Sequence, residues 1–346
     1  MGLTPIHALV GPNDSGKSTI LRGLRTVVQF AVGKFDFLRD DSAVPAGPFD
    51  PTLGDKLETA LRARLPGGFE YGLEHDDRGL WADHLIGNGV DLRDMRGWNA
   101  YGLIPRATSP AVVELARRLR GPARMVHFAP SSLRAPSPLL LDDRPVDFLD
   151  ASGYGLPAFY DALLSRRNEV LAPIQSELRR LFPTADRISF RNVSPRKGEP
   201  EIWKAIEITL HDGARIPTSQ MSEGLLYFLA FSALQHAEPT SLLLVEEPEN
   251  GLHPARIRDV VGMLREISKT TQVVMATHSP LVINELTAEE VSVVWRTQAE
   301  GTQVVRLNET YDYAQRSKIL SNGELWLAYA DGVEERELRE KPSTAP

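Results

Sequence analysis

The run Gly11, Pro12, Asn13, Asp14, Ser15, Gly16, Lys17, Ser18, Thr19 carries the strongest chemistry in the chain. It fits the pattern G-x-x-x-x-G-K-[ST] of a loop built to hold polyphosphate. Small residues let successive backbone N–H groups close on phosphate oxygens, and the start of the following helix adds its own free N–H groups. Lys17 is placed to reach the β- and γ-phosphates, and Ser18 to hold Mg2+. Gly11, Asn13, Asp14, Ser15, Gly16, Lys17, Ser18 and Thr19 are therefore the expected nucleotide contacts. Asp14 stands where many such loops carry Gly, and Asp tolerates a left-handed backbone better than most residues.

Three further clusters lie far along the chain. Leu242 to Val245 reads as a central strand with Glu246 and Glu247 at its C-terminal end, where an open α/β sheet binds ligands. Glu246 suits the hydration shell of the magnesium ion. Glu247 suits the orientation and deprotonation of an attacking water. A strand end and its turn point adjacent side chains differently, so two neighbouring carboxylates serve two tasks. Gln272 to Ala276 is another apolar strand, ending in Thr277, His278, Ser279 and Pro280. The His278 imidazole suits a hydrogen bond to the γ-phosphate or to the water. Ser222 and Gly224, in Met221-Ser222-Glu223-Gly224, open the apolar helix Leu226 to Leu234. A serine N-cap and free N–H groups make a small anion site there.

These residues need elements to position them. Ile6 to Val10 reads as the strand before the loop and residues 20–32 as the helix after it. Residues 40–54, with Pro45, Pro48 and Pro51, read as an exposed connection, and residues 55–65 as a helix. Pro110 to Leu119 is a helix opened by proline, and Met125 to Ala129 a strand. Phe159 to Leu181 is one long helix or a pair, with Pro173 able to start the second half. Arg187 to Val193 and Ile202 to Leu210 alternate as strands do, with a turn at His211 to Ala214. From residue 219 the pattern becomes strand–helix alternation with buried apolar strands, the mark of a parallel sheet. The chain thus divides into a core of 1–32 and 205–330, an inserted mixed segment 33–204, and a charged tail 331–346.

Bulk composition excludes several classes. With 346 residues, 42% apolar and 25% charged, the chain has material for a sizeable core. It has no cysteine, which removes disulfides, thiolate metal sites and thiol nucleophiles. No apolar stretch approaches a membrane span, and the loop begins at residue 11 with no signal peptide before it, so the cytoplasm is the expected location. Net charge is −7, yet residues 106–197 hold 15 Lys+Arg against 9 Asp+Glu. That local excess of +6 fits either a phosphate-backbone surface or solvated helix faces.

The four clusters together resemble the ABC-type ATPases of the RecF and SMC branch, and most closely the OLD-like AAA-family ATPases. In that resemblance Gly11 to Ser18 is Walker A, Met221 to Gly224 the signature, and Leu242 to Glu246 Walker B. Glu247 is the catalytic base, Glu249 to Pro254 the D-loop and Thr277 to Pro280 the switch. The resemblance covers residues 3–32 and about 205–310. It implies a P-loop α/β fold of ABC-ATPase type, a mostly parallel sheet with flanking helices and an inserted α/β-mixed segment. It also implies ATP and Mg2+ as ligands, and hydrolysis with Glu247 and His278 as catalytic residues. Two protomers would sandwich ATP, Walker A of one capped by Ser222 and Gly224 of the other. The aromatic-bearing strands that relatives place before Walker A have no counterpart here. The Pro130 to Arg134 loop is the candidate for the Gln-loop. Residues 310–346 are too few for the Toprim nuclease domain of full OLD proteins, so nuclease activity is not expected. The homodimer would then act as an ATP switch on a separate effector, a nuclease or toxin, in phage defence or repair, with DNA contact through 106–197 and no membrane role. The alternatives are the energising subunit of a membrane transporter and a slow ATP-sensing scaffold.

Overall fold

The computed structural model describes residues 2–32, 59–65, 68–75, 81–96, 109–119, 121–195, 201–297, 301–311 and 313–330. The expected connection at 40–54 and the tail from 331 lie outside the described residues. In chain order the elements begin with β1 (Ile6–Val10) and α1 (Lys17–Ala31). Four strands follow: β2 (Thr59–Leu65), β3 (Phe69–His75), β4 (Trp81–Gly87) and β5 (Val90–Arg96). Then come α2 (Pro110–Arg118), β6 (Ala123–Val126), α3 (Pro130–Arg134), β7 (Ser137–Pro138), α4 (Leu156–Arg166) and α5 (Leu171–Leu181). The strands β8 (Ala185–Val193), β9 (Trp203–Leu210) and β10 (Arg215–Pro217) lead to α6 (Glu223–Leu234), β11 (Leu242–Glu246) and α7 (Pro254–Ile267). The chain continues through β12 (Gln272–Thr277), α8 (Pro280–Asn284), β13 (Val291–Thr297) and β14 (Gly301–Arg306), then α9 (Tyr313–Arg316) and α10 (Asn322–Ala330).

A six-stranded sheet in the order β14-β13-β1-β12-β11-β6 forms the centre. Every pairing in it is parallel except β13 with β14. Apolar runs supply these strands because both faces are covered: all five residues of β1 are buried. Register then aligns the strand ends. Val10 pairs with Thr277, Glu246 with Ala276, and Val126 with Val245. The residues that follow β1, β6, β11 and β12 therefore leave the sheet along one edge, although they lie far apart in sequence.

The helix α6 is apolar all round, and Leu225 to Leu234 are all buried, as a central helix requires. Tyr227 of α6 donates its hydroxyl to the carbonyl of Phe128, just past β6, at 3.0 Å. A second sheet pairs β9 with β7, β8 and β10, and a third runs β2-β3-β4-β5 antiparallel throughout.

Three expectations need correction. Residues 59–65 form β2, not part of a helix. Their Ala, Leu and Arg content favours helix by propensity, but pairing with β3 along all seven residues overrides it. The 33–204 segment is not wholly an insertion, since β6 within it hydrogen-bonds to β11 in the central sheet. That strand is also displaced from Met125–Ala129 to Ala123–Val126. Of the two alternatives for Phe159 to Leu181, the helix pair holds, broken at Arg167, with Pro173 in the first turn of α5 where its missing N–H costs nothing.

The arginines of 106–197 are largely committed. Carboxylates hold Arg118, Arg124, Arg166, Arg167, Arg179, Arg180, Arg187 and Arg191, with Arg124 to Asp147 and Arg167 to Glu238 both at 2.6 Å. Among the described residues of this segment, these eight arginines are thus engaged in ion pairs.

Candidate functional site

The loop after β1 keeps its shape through the residues sequence reasoning selected. Asp14 adopts φ +63° and Gly16 φ +101°. A Cβ at Gly11 would collide with the carbonyl of Val294, and one at Gly16 with the hydroxyl of Thr302. Thr302 also donates to the Ser15 carbonyl at 3.1 Å, so the β13–β14 hairpin walls the loop. Ser15 is buried and its Oγ has no partner among the described residues. Lys17 Nζ donates to the carbonyls of Gly11 and Pro12, both at 2.8 Å. Burial pushes the Lys17 ammonium below its usual value, while Glu247, Asp14 and Glu249 pull it the other way.

The loop opens into a cavity of about 690 Å³ lined by Asn13, Asp14, Gly16, Lys17, Ser18 and Thr19 on one side and Glu246 and Glu247 on the other. The carboxylates therefore converge with the loop as their strand-end positions required. Glu247 takes φ +47°, a left-handed conformation uncommon for a residue with a side chain. Its N–H is held by the Ala276 carbonyl at 2.8 Å. This twist is what separates the directions of Glu246 and Glu247, and such strain concentrates at functional sites. His278 Nδ1 stands 3.7 Å from Glu247 Oε1 and 3.8 Å from Glu249 Oε1. Glu249 accepts from Thr277 Oγ1 at 2.6 Å and from the His278 N–H at 3.3 Å.

Ser222 and Gly224 are not brought to this cavity. Ser222 caps α6 by accepting from the Leu225 N–H at 3.3 Å, as its position before the helix predicts. Ser222 is exposed and Gly224 half-buried. The expected Gln-loop at Pro130 to Arg134 is the helix α3 and does not line the cavity. Three residues earlier, His127 does, with Nδ1 3.9 Å from Glu246 Oε2. Arg22 and Arg296 line it as well. Arg22 lies one helical turn past Thr19, a spacing visible in sequence. His127 and Arg296 carry no local signal, because only strand register puts them there.

The donor set suits a magnesium nucleotide. Glycines are required where backbone must approach a ligand, a buried serine hydroxyl has capacity to spare, and a lysine rests on loop carbonyls that a phosphate would replace. The largely parallel sheet, with the glycine-rich loop following β1, is an α/β fold of the P-loop kind. The family described as "AAA domain, putative AbiEii toxin, Type IV TA system" matches residues 6–284, and the chain belongs to it. Among solved structures, an Smc head bound to the C-winged helix domain of ScpA is 18% identical, with TM-score 0.50, covering 89% of this chain and 92% of that one. An SMC head from Thermotoga maritima is 16% identical with TM-score 0.44, covering 88% and 92%. An Smc head derived from Pyrococcus furiosus and bound to a ScpA domain is 15% identical with TM-score 0.47, covering 89% and 91%. No curated protein is significantly similar to the chain. Among the described residues no helix is long and apolar enough to cross a membrane.

Proposed function

We propose that the chain binds and hydrolyses ATP with Mg2+ and works as a dimeric switch on a partner protein. One observation carries this reading: Lys17, Ser18, Glu246 and Glu247 line a single cavity although up to 230 residues separate them. Backbone N–H groups of Gly11 to Thr19 would cradle the phosphates, and Lys17 would leave the Gly11 and Pro12 carbonyls for the β- and γ-oxygens. Ser18 and Glu246 would hold Mg2+, which would neutralise charge building on the leaving phosphate. Glu247 takes a proton from the attacking water, and His278, beside it, steadies that water or the γ-phosphate.

Ser222 and Gly224 face outward, where a second protomer's nucleotide would meet them. That arrangement supports the composite dimer. The OLD-like phrase Glu246 to Pro254 favours a separate effector, a toxin or nuclease, and the family description naming a type IV TA system favours a defence role. The pairing of arginines in 106–197 leaves DNA contact there less supported than a protein partner. The test is Glu247→Gln with ATP and Mg2+: the variant retains nucleotide and doubles in mass by light scattering. A variant that stays monomeric with nucleotide bound overturns the switch.

A further inference from the structure

The last helix of the described chain closes on the switch residue. Trp326 of α10 is 4% exposed, and its indole Nε1–H donates to the carbonyl of His278 at 3.3 Å. From the opposite side the His278 N–H donates to Glu249 at 3.3 Å. Both backbone polar groups of His278 are therefore held, one by the turn after the catalytic carboxylates and one by α10. The helix is itself locked in place. The Gly323 N–H donates to Asn284 Oδ1 at 2.7 Å, and Asn322 Nδ2 to the Leu286 carbonyl at 2.9 Å. A Cβ at Gly323 would collide with the carbonyl of Pro280, so α10 lies directly against the start of α8.

We propose that Trp326 is a positioning residue for His278, and that α10 thereby couples the C-terminal region to turnover. This rests on the ATPase reading of His278. The side chain of His278 is more than half exposed and meets the Glu247 and Glu249 carboxylates only at 3.7 and 3.8 Å, so the position of its backbone sets where the imidazole can reach. Loss of the indole donor returns the His278 carbonyl to water and frees the peptide to rotate. The imidazole then samples directions away from Glu247, while the phosphate loop, on other strands, is untouched. Any partner that lifts α10 would slow hydrolysis without expelling nucleotide.

Trp326→Phe keeps an aromatic ring and removes the donor together with part of the buried indole's volume. One hydrogen bond is worth about 1 kcal/mol, so turnover should fall roughly fivefold with ATP affinity within about twofold of wild type. Tyr329→Phe is the control: it lies on the same helix, and its hydroxyl bonds to Thr310 at 3.0 Å. It should turn over like wild type. In a His278→Ala background, Trp326→Phe should cause no further loss. A second readout does not need turnover. The His278 ring resonances, followed by NMR through a pH titration, should move in Trp326→Phe and stay put in Tyr329→Phe. If Trp326→Phe unfolds, Asn322→Ala loosens the same helix more gently and should give the same two signs. Unmoved ring resonances overturn the proposal, as does an equal loss of turnover with and without His278. A wild-type chain that binds ATP without hydrolysing it sinks the catalytic reading alone, and the ring titration still decides the clamp.

Discussion

The starts of α1 and α6 are both helix N-termini opened by small residues, yet they are built for different tasks. At α1 the backbone is wrapped by a loop, walled by Val294 and Thr302, and faced by Glu246 and Glu247. Lys17 already rests on the loop carbonyls. At α6, Ser222 spends its oxygen capping its own helix, Gly224 looks onto open space, and Glu223 places a carboxylate in the first turn. A helix start with its own acid is a poor site for an isolated anion, because the carboxylate already uses the positive end of the dipole. One half of the proposed apparatus gathers its groups around a single cavity; the other lies at the start of α6, away from that cavity, where the proposed dimer would need it.

The largest effect that can break this division is chemical. Glu247→Gln should lower turnover by about 10³-fold, as for loss of a general base, while nucleotide stays bound. Turnover within tenfold of wild type in a single-turnover assay would move the base elsewhere. Next, Lys17→Ala should weaken ATP binding by about 100-fold by equilibrium dialysis, since it removes a cation from the loop that would hold a polyanion, whereas Ser222→Arg should leave monomer binding unchanged and abolish dimer formation. Equal loss of monomer binding in both variants would merge the two halves.

Acid sharpens the comparison from below the loop. His7, in β1, is fully buried between Ser292 and Thr4. Burial, reinforced by Arg306, pushes its pKa from 6.5 to about 4. Between those values the unfolded chain binds the proton and the folded chain does not. Stability is thus complete above pH 6.5 and declines as pH falls toward 4, by about 3 kcal/mol in total. His7→Gln should flatten that slope in urea titrations at pH 7 and 4.5. An unchanged slope assigns the acid sensitivity to other groups. A smaller effect is expected at His127. His127→Ala should raise the Mg2+ concentration for half-maximal turnover about tenfold, the size seen when a residue beside a metal ligand is lost, with ATP affinity unchanged at saturating Mg2+. No shift would leave His127 as a wall of the cavity only.

Much of the site was legible in the chain itself. Gly11 to Thr19 is contiguous, and its requirements for glycine, lysine and hydroxyl are local, so composition and order suffice. Asp14 at φ +63° and the Ser222 cap follow from the conformational habits of those residue types. Leu242 to Val245 and Val273 to Ala276 announce buried strands because parallel strands covered on both faces need unbroken apolar runs. Within the helix expected at 55–65, residues 59–65 are a strand instead, because propensity is a weak guide where a partner strand is available.

Other features arose only from folding. β6 is four residues long and joins the sheet because β11 offers it an edge, and that pairing, not any motif, sets His127 beside Glu246. The left-handed turn at Glu247 appears once the Ala276 carbonyl takes its N–H. Trp326 reaches His278, 48 positions away in sequence, through the packing of α10 on α8. Residue type and short-range order therefore determined which groups could handle a phosphate. Strand register and helix packing, which are relations between distant segments, decided which of those groups stand within reach of one another.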